Sequence, residues 1–193
     1  MNLTRRGFVI GSGTVVATLP LAGCPSFSTI ELDIEKYVPV GLQTFSSILG
    51  VLSEVGIVIN PVLGLAITGV KAGFADLQVA IKNYESAPAA DKTTLTGKIA
   101  TALGDAEGML QQFWNDLSIP DQKDETLIQS LLGVIVSVLS GFSAQFPAVK
   151  SVTALKPGKK VIPVTPKIVS VKQFKKNFNQ VLIEAHKEKY AVR

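Results

Sequence analysis

Between residues 34 and 149, apolar side chains recur at spacings of three and four in four consecutive stretches, separated by breaks of only a few residues. That period belongs to a helix with one buried face, and breaks this short leave consecutive helices little choice but to run antiparallel. The cleanest stretch is Leu63, Ile67, Val70, Phe74, Leu77, Ile81 and Tyr84, opened by Asn60-Pro61 as cap and first helical residue. Before it come Val38, Leu42, Phe45, Leu49 and Leu52, with Pro39 suited to a first turn. After it, Leu95, Ile99, Ala102, Ala106, Met109 and Phe113 form a seam with Leu103, Leu110 and Leu117 on its shoulder, and Asp91 is the expected cap. The fourth stretch is Ile128, Leu132, Ile135, Leu139, Phe142 and Phe146. Ser118 is its expected cap, and Asp121, Asp124 and Glu125 lie at the positive end of the helix dipole.

The expected fold is therefore all-α, an up-down-up-down four-helix bundle over residues 34–149. Gly64, Gly69 and Gly73, then Gly133, Ser137 and Gly141, cost helix propensity, which predicts close approach between helices at those positions. Beyond Pro147 the pattern stops: Pro157, Pro163 and Pro166 forbid a helix across 150–169, leaving an extended basic linker or a small hairpin turning at Pro157-Gly158. Ser170-Val171-Lys172-Gln173 is a capping-box pattern that opens a fifth, amphipathic helix within 170–193. Phe174, Phe178, Val181, Leu182 and Ala185 share one of its faces, and Lys172, Lys175, Lys176 and Lys187 lie away from it.

Ahead of the bundle the order is Thr4-Arg5-Arg6-Gly7-Phe8-Val9, an uncharged run from Phe8 to Ala22, then Leu21-Ala22-Gly23-Cys24. Fifteen uncharged residues broken by Gly11, Gly13 and Pro20 fall short of the roughly 20 needed to span a bilayer and suit a secretory signal instead. The Arg5, Arg6 and Phe8 pattern resembles the twin-arginine export motif. Leu21, Ala22, Gly23 and Cys24 resemble the bacterial lipoprotein box, which implies cleavage before Cys24 and acylation of its thiol. The resemblance covers these first 24 residues alone. It implies that residues 1–23 are a signal peptide removed on export, that 24–33 are a lipidated tether, and that the mature chain is held by membrane lipid at the bacterial cell envelope.

Charge narrows the choice of partner. Without residues 1–23 the chain keeps 17 basic against 15 acidic residues, too even a balance for a nucleic-acid-binding protein. Its distribution is lopsided. Residues 24–149 hold 6 basic and 13 acidic residues, and residues 150–193 hold 11 and 2. Lys172, Lys175 and Lys176 are the candidate membrane or partner face of this basic end, although an acidic body also offers them an intramolecular partner.

Catalytic and metal chemistry find no foothold. Cys24 and His186 are the only residues of their kinds, so no clustered soft ligands exist. Asp121, Asp124 and Glu125 are explained by helix-start electrostatics rather than a cation, and Gly64 to Lys71 misses the phosphate-loop spacing inside an expected helix. No nucleophile, base and orienting group can be assembled, and Trp114 is expected to be half-buried packing. The expectation is a non-enzymatic scaffold, adaptor or accessory subunit without cofactor or metal, working with an envelope protein. Two alternatives remain: a carrier holding an apolar ligand in the bundle core, or a membrane-inserting protein using residues 126–149, which contain no charge.

Overall fold

A computed structural model describes residues 27–146 and 160–193, with side chains from Asp33 onward. It is all-helical: α1 (Phe27–Glu54), α2 (Pro61–Glu85), α3 (Lys92–Asp116), α4 (Gln122–Ser143) and α5 (Val171–Glu184), followed by a 3-10 turn, Glu188–Tyr190. No strand occurs among the described residues, and residues 160–169 form an extended strap. The expected hairpin turn at Pro157-Gly158 lies outside the described residues.

The helices begin where the chain can satisfy their first N–H groups. Asn60 caps α2 by accepting from the Leu63 N–H at 2.9 Å, and Pro61 takes the first position, where a missing N–H costs nothing. Ser170 caps α5 through the Gln173 N–H at 3.2 Å. For α4 the cap is Asp121, which accepts from both Lys123 and Asp124, and not Ser118. A carboxylate that reaches two orphan N–H groups at a dipole's positive end outdoes a hydroxyl set two residues before a proline. Asp91 precedes α3 without a side-chain cap bond.

Helix α1 departs furthest from the expected boundaries. It starts at Phe27, so residues 27–33 of the expected tether are helical, and Pro39 lies inside the helix instead of in its first turn. Pro39 is exposed, and its flanking Ile34, Tyr37, Val38 and Val40 are all buried. One forfeited backbone bond on the solvent side is outweighed by that burial.

Helix α1 packs on α2 and α4, α3 packs on α2 and α4, and α5 lies against α1 and α4. One continuous core results, with Phe45 set edge-on to Phe113 at 5.0 Å. Gly73 abuts the Ala106 backbone and Gly69 the Met109 thioether, which fixes α2 and α3 as antiparallel and fits the close approach expected of those glycines. On α3 the buried face is rotated: Leu103 and Leu110, expected on the shoulder, are fully buried, whereas Met109 is 40 % exposed. Wide helical stripes leave such a rotation undetermined until the neighbours are placed.

Candidate functional site

The strap and α5 carry the candidate site, because they bring the basic end of the chain onto its acidic body. Gly133 and Gly141 of α4 make this seat. A Cβ on Gly141 would stand 2.7 Å from the Lys167 carbonyl carbon, and one on Gly133 would meet Pro163 and Ile162. These glycines thus admit the strap and not another helix, a correction to the helix-to-helix expectation; Gly64 has nothing within 4 Å of its Cβ position.

Three hydrogen bonds to its backbone help hold the strap down. The Lys167 N–H donates to the Ser137 carbonyl at 3.0 Å, the Ile162 N–H donates to Gln111 Oε1 at 3.2 Å, and Gln129 Nε2 donates to the Val161 carbonyl at 3.3 Å. Ile162 itself is buried. Lys160 bonds Glu125 and lies 5.2 Å over the Trp114 ring, which is buried rather than half-exposed. Between strap, α4 and α5 runs a groove of about 410 Å³ with polar lining from Gln129, Ser130, Ser137, Thr165, Lys167 and Asn177.

Helix α5 docks by Phe174, Phe178 and Leu182, all buried, as its apolar spacing requires. Phe174 and Phe142 clasp the Tyr37 ring edge-on at 5.5 and 5.2 Å. The Tyr37 hydroxyl is buried without a hydrogen-bond partner, and its pKa is pushed up to about 12, first by burial and then by the nearby Asp33 charge. Beyond α5, His186 adopts positive φ, and the Lys187 N–H returns to the Leu182 carbonyl at 2.8 Å, ending the helix. That turn aims Lys187 and Lys189 at Glu54 of α1, at 2.8 and 3.1 Å. The bonds to Lys187 and then Lys189 draw the Glu54 pKa down to about 2.

Of the three lysines expected on a membrane or partner face, Lys172 and Lys176 are exposed. Lys175 is partly covered and donates to the Arg193 carbonyl, beside the two-way bond between Asn179 and Val192. The basic end therefore spends several cations on the protein itself. Arg5, Arg6, Phe8, Leu21, Ala22, Gly23 and Cys24 lie outside the described residues.

A buried polar line under the strap escaped sequence reading. Glu107 is 8 % and Gln111 4 % exposed. Ser140 Oγ donates to Glu107 Oε1 at 2.7 Å, and burial raises the Glu107 pKa more than this bond lowers it. Polar residues four apart inside an apolar helix face were the available signal. Among the described residues no group of three or more His, Cys, Asp or Glu is placed to hold a metal. The core cavity lined by Tyr37, Phe74, Leu139 and Phe174 measures about 10 Å³. That is room for about one water.

No family model matches the chain, and neither a curated protein nor a solved structure matches it.

Proposed function

We propose that the chain is an exported, lipid-anchored, non-catalytic protein of the bacterial cell envelope, acting as a scaffold, adaptor or accessory subunit. The observation that carries this reading is the order Arg5-Arg6-Gly7-Phe8, uncharged run, Leu21-Ala22-Gly23-Cys24, in which each part stands at the distance a secreted lipoprotein needs. Its body is an up-down-up-down four-helix bundle with α5 as a buttress, a reading supported by the closed circuit of contacts from α1 through α4. Cys24 precedes the first described residue by three positions, a reach of at most about 11 Å, so α1 starts close to the bilayer surface.

Envelope attachment then comes from the acyl chains, without help from the basic helix. The docking of α5 through its phenylalanines and the engagement of Lys160, Lys187 and Lys189 by Glu125 and Glu54 support an intramolecular role for the basic end. Helix α4 is long and apolar enough to cross a membrane, but its surroundings favour neither alternative. A 10 Å³ core cavity is far smaller than a lipid or quinone, and 61 % of the apolar window of α4, residues 126–143 of the suggested span included, is buried in the fold.

Native mass spectrometry on protein gently extracted from membranes tests the proposal, with a Cys24→Ala form for comparison. A mass fitting cleavage before Cys24 plus acyl chains, lost in the variant, is expected. An intact N-terminus without lipid would overturn the reading.

A further inference from the structure

Two helices are long and apolar enough to cross a membrane by length and composition, and the fold treats them differently: 61 % of the apolar window of α4 is buried, but only 28 % of that of α2. Residues 55–70 contain no charge, yet Val58 is 82 %, Ile59 52 %, Val62 59 % and Leu65 75 % exposed, with Val79 56 % exposed further along α2. These side chains leave on the order of 500 Å² of aliphatic surface open, against about 800 Å² per partner in a standard interface.

The outward stripe of α2 is graded along its length. Val62 and Leu65 project from its N-terminal half, and exposed Thr68, partly exposed Gly69, then exposed Ala72 and Ala75 leave a shallow lane as far as Val79. One acidic residue, Asp76, stands on the stripe, also exposed, and the first turn of α2 carries no acid of its own.

We infer that this face of α2 pairs with the same face of a second copy of the chain, antiparallel about a two-fold axis near Thr68. That register sets Leu65 opposite the partner's Ala72, Val62 opposite the partner's Ala75, and Thr68 opposite the partner's Gly69. Between Val62 and Ala75 bulk meets lane on both sides, the self-complementarity a two-fold contact requires. It also sets Asp76 opposite the partner's Pro61, where a carboxylate complements the positive end of the partner's helix, whose first turn carries no acid. A parallel pairing would instead set bulk against bulk and Asp76 against itself. The two-fold axis places both α1 N-termini at equal height along it, so both Cys24 anchors can reach one bilayer. The pairing does not rest on that anchor.

The test uses the full chain carrying Cys24→Ser, so that an introduced cysteine is the only thiol. Thr68→Cys is expected to form a disulfide-linked dimer on mild oxidation, whereas Gln180→Cys, exposed on α5, is not. By sedimentation velocity the parent is dimeric, and Leu65→Lys weakens association by roughly tenfold or more with helix content and melting temperature unchanged. Asp76→Lys weakens it as well. A parent that stays monomeric at its highest soluble concentration, or equal crosslinking at positions 68 and 180, overturns the inference. A monomer that floats with neutral phospholipid vesicles and loses this with Leu65→Lys would give the face to the membrane. A monomer destabilised by Leu65→Lys would give it to another part of the same chain.

Discussion

Replacing Gly141 by alanine is expected to reverse the sign that helix propensity assigns to the change. At a solvated helix position, Gly→Ala gains about 0.5–1 kcal/mol. Gly108, in the middle of α3 with nothing within 4 Å of its Cβ position, shows that gain alone. At Gly141 the new methyl meets the Lys167 carbonyl carbon at 2.7 Å and its nitrogen and oxygen at 2.9 Å, all backbone atoms that no rotamer change can move. The strap must retreat by about 1 Å, losing the Lys167 N–H to Ser137 bond, a loss of about 1 kcal/mol, while overpacking costs about 1–3 kcal/mol more. Against the propensity gain, a net loss of roughly 1–3 kcal/mol remains. For a chain of this size each kcal/mol moves the melting temperature by about 2–4 °C. Circular-dichroism melts of the two variants beside the parent therefore separate in opposite directions, Gly108→Ala upward and Gly141→Ala downward. Proteolysis near the strap should also quicken in the Gly141 variant alone. Equal stabilisation by both substitutions would refute the seating of the strap on α4.

Tyr37→Phe removes a buried hydroxyl that has no partner, and urea unfolding at neutral pH should show the variant stabilised by about 1 kcal/mol. Because the folded Tyr37 pKa is raised to about 12 above the ordinary 10, the parent loses stability as pH climbs from 10 toward 12, and the variant is spared that part of the loss. Glu54 has the opposite sign: with its folded pKa near 2, its contribution is present above about 4.5 and disappears as pH falls toward 2, so acid titration of Glu54→Gln should show a shallower loss over that window. The raised pKa of Glu107 makes its ionisation a cost that sets in as pH rises past the unfolded value of 4.5. Glu107→Gln, which can still accept from Ser140, should therefore gain on the parent between pH 4 and 8 in parallel melts. Phe178→Ala empties a fully buried site under α5 and should cost about 3–5 kcal/mol in urea unfolding.

Local chemistry made much of the fold legible. The 3,4 spacing of Leu63 to Tyr84 and the pairs Asn60-Pro61 and Ser170-Gln173 fix helices and their starts, because a cap bond closes within three residues and needs no distant partner. The Phe174, Phe178 and Leu182 stripe likewise identifies the docking face of α5, since an apolar stripe on a basic helix has few other uses. Arg5, Arg6 and Leu21 to Cys24 are also read as a linear string, and the proposed function rests on the lipoprotein-like opening they resemble.

Tertiary structure decided what depends on neighbours far along the chain. Pro39 marks a helix start in most local contexts, and only the burial of Ile34 and Tyr37 carries α1 back through it to Phe27. Gly133 and Gly141 announce a close approach without saying by what, and the strap 26 residues beyond Gly141 supplies the answer. The seam of α3 could turn toward Met109 or Leu103 until α2 and α4 were in place. Glu107 and Ser140 meet across 33 residues of chain, Gln111 and Ile162 across 51 and Glu54 and Lys187 across 133, and no periodicity encodes such separations. Sequence alone thus determined the helices and the starts of α2 and α5, which arise from interactions within a turn or two. Packing determined which faces are buried, which glycines are filled from outside and which charges pair, because those energies exist only when remote segments share a boundary.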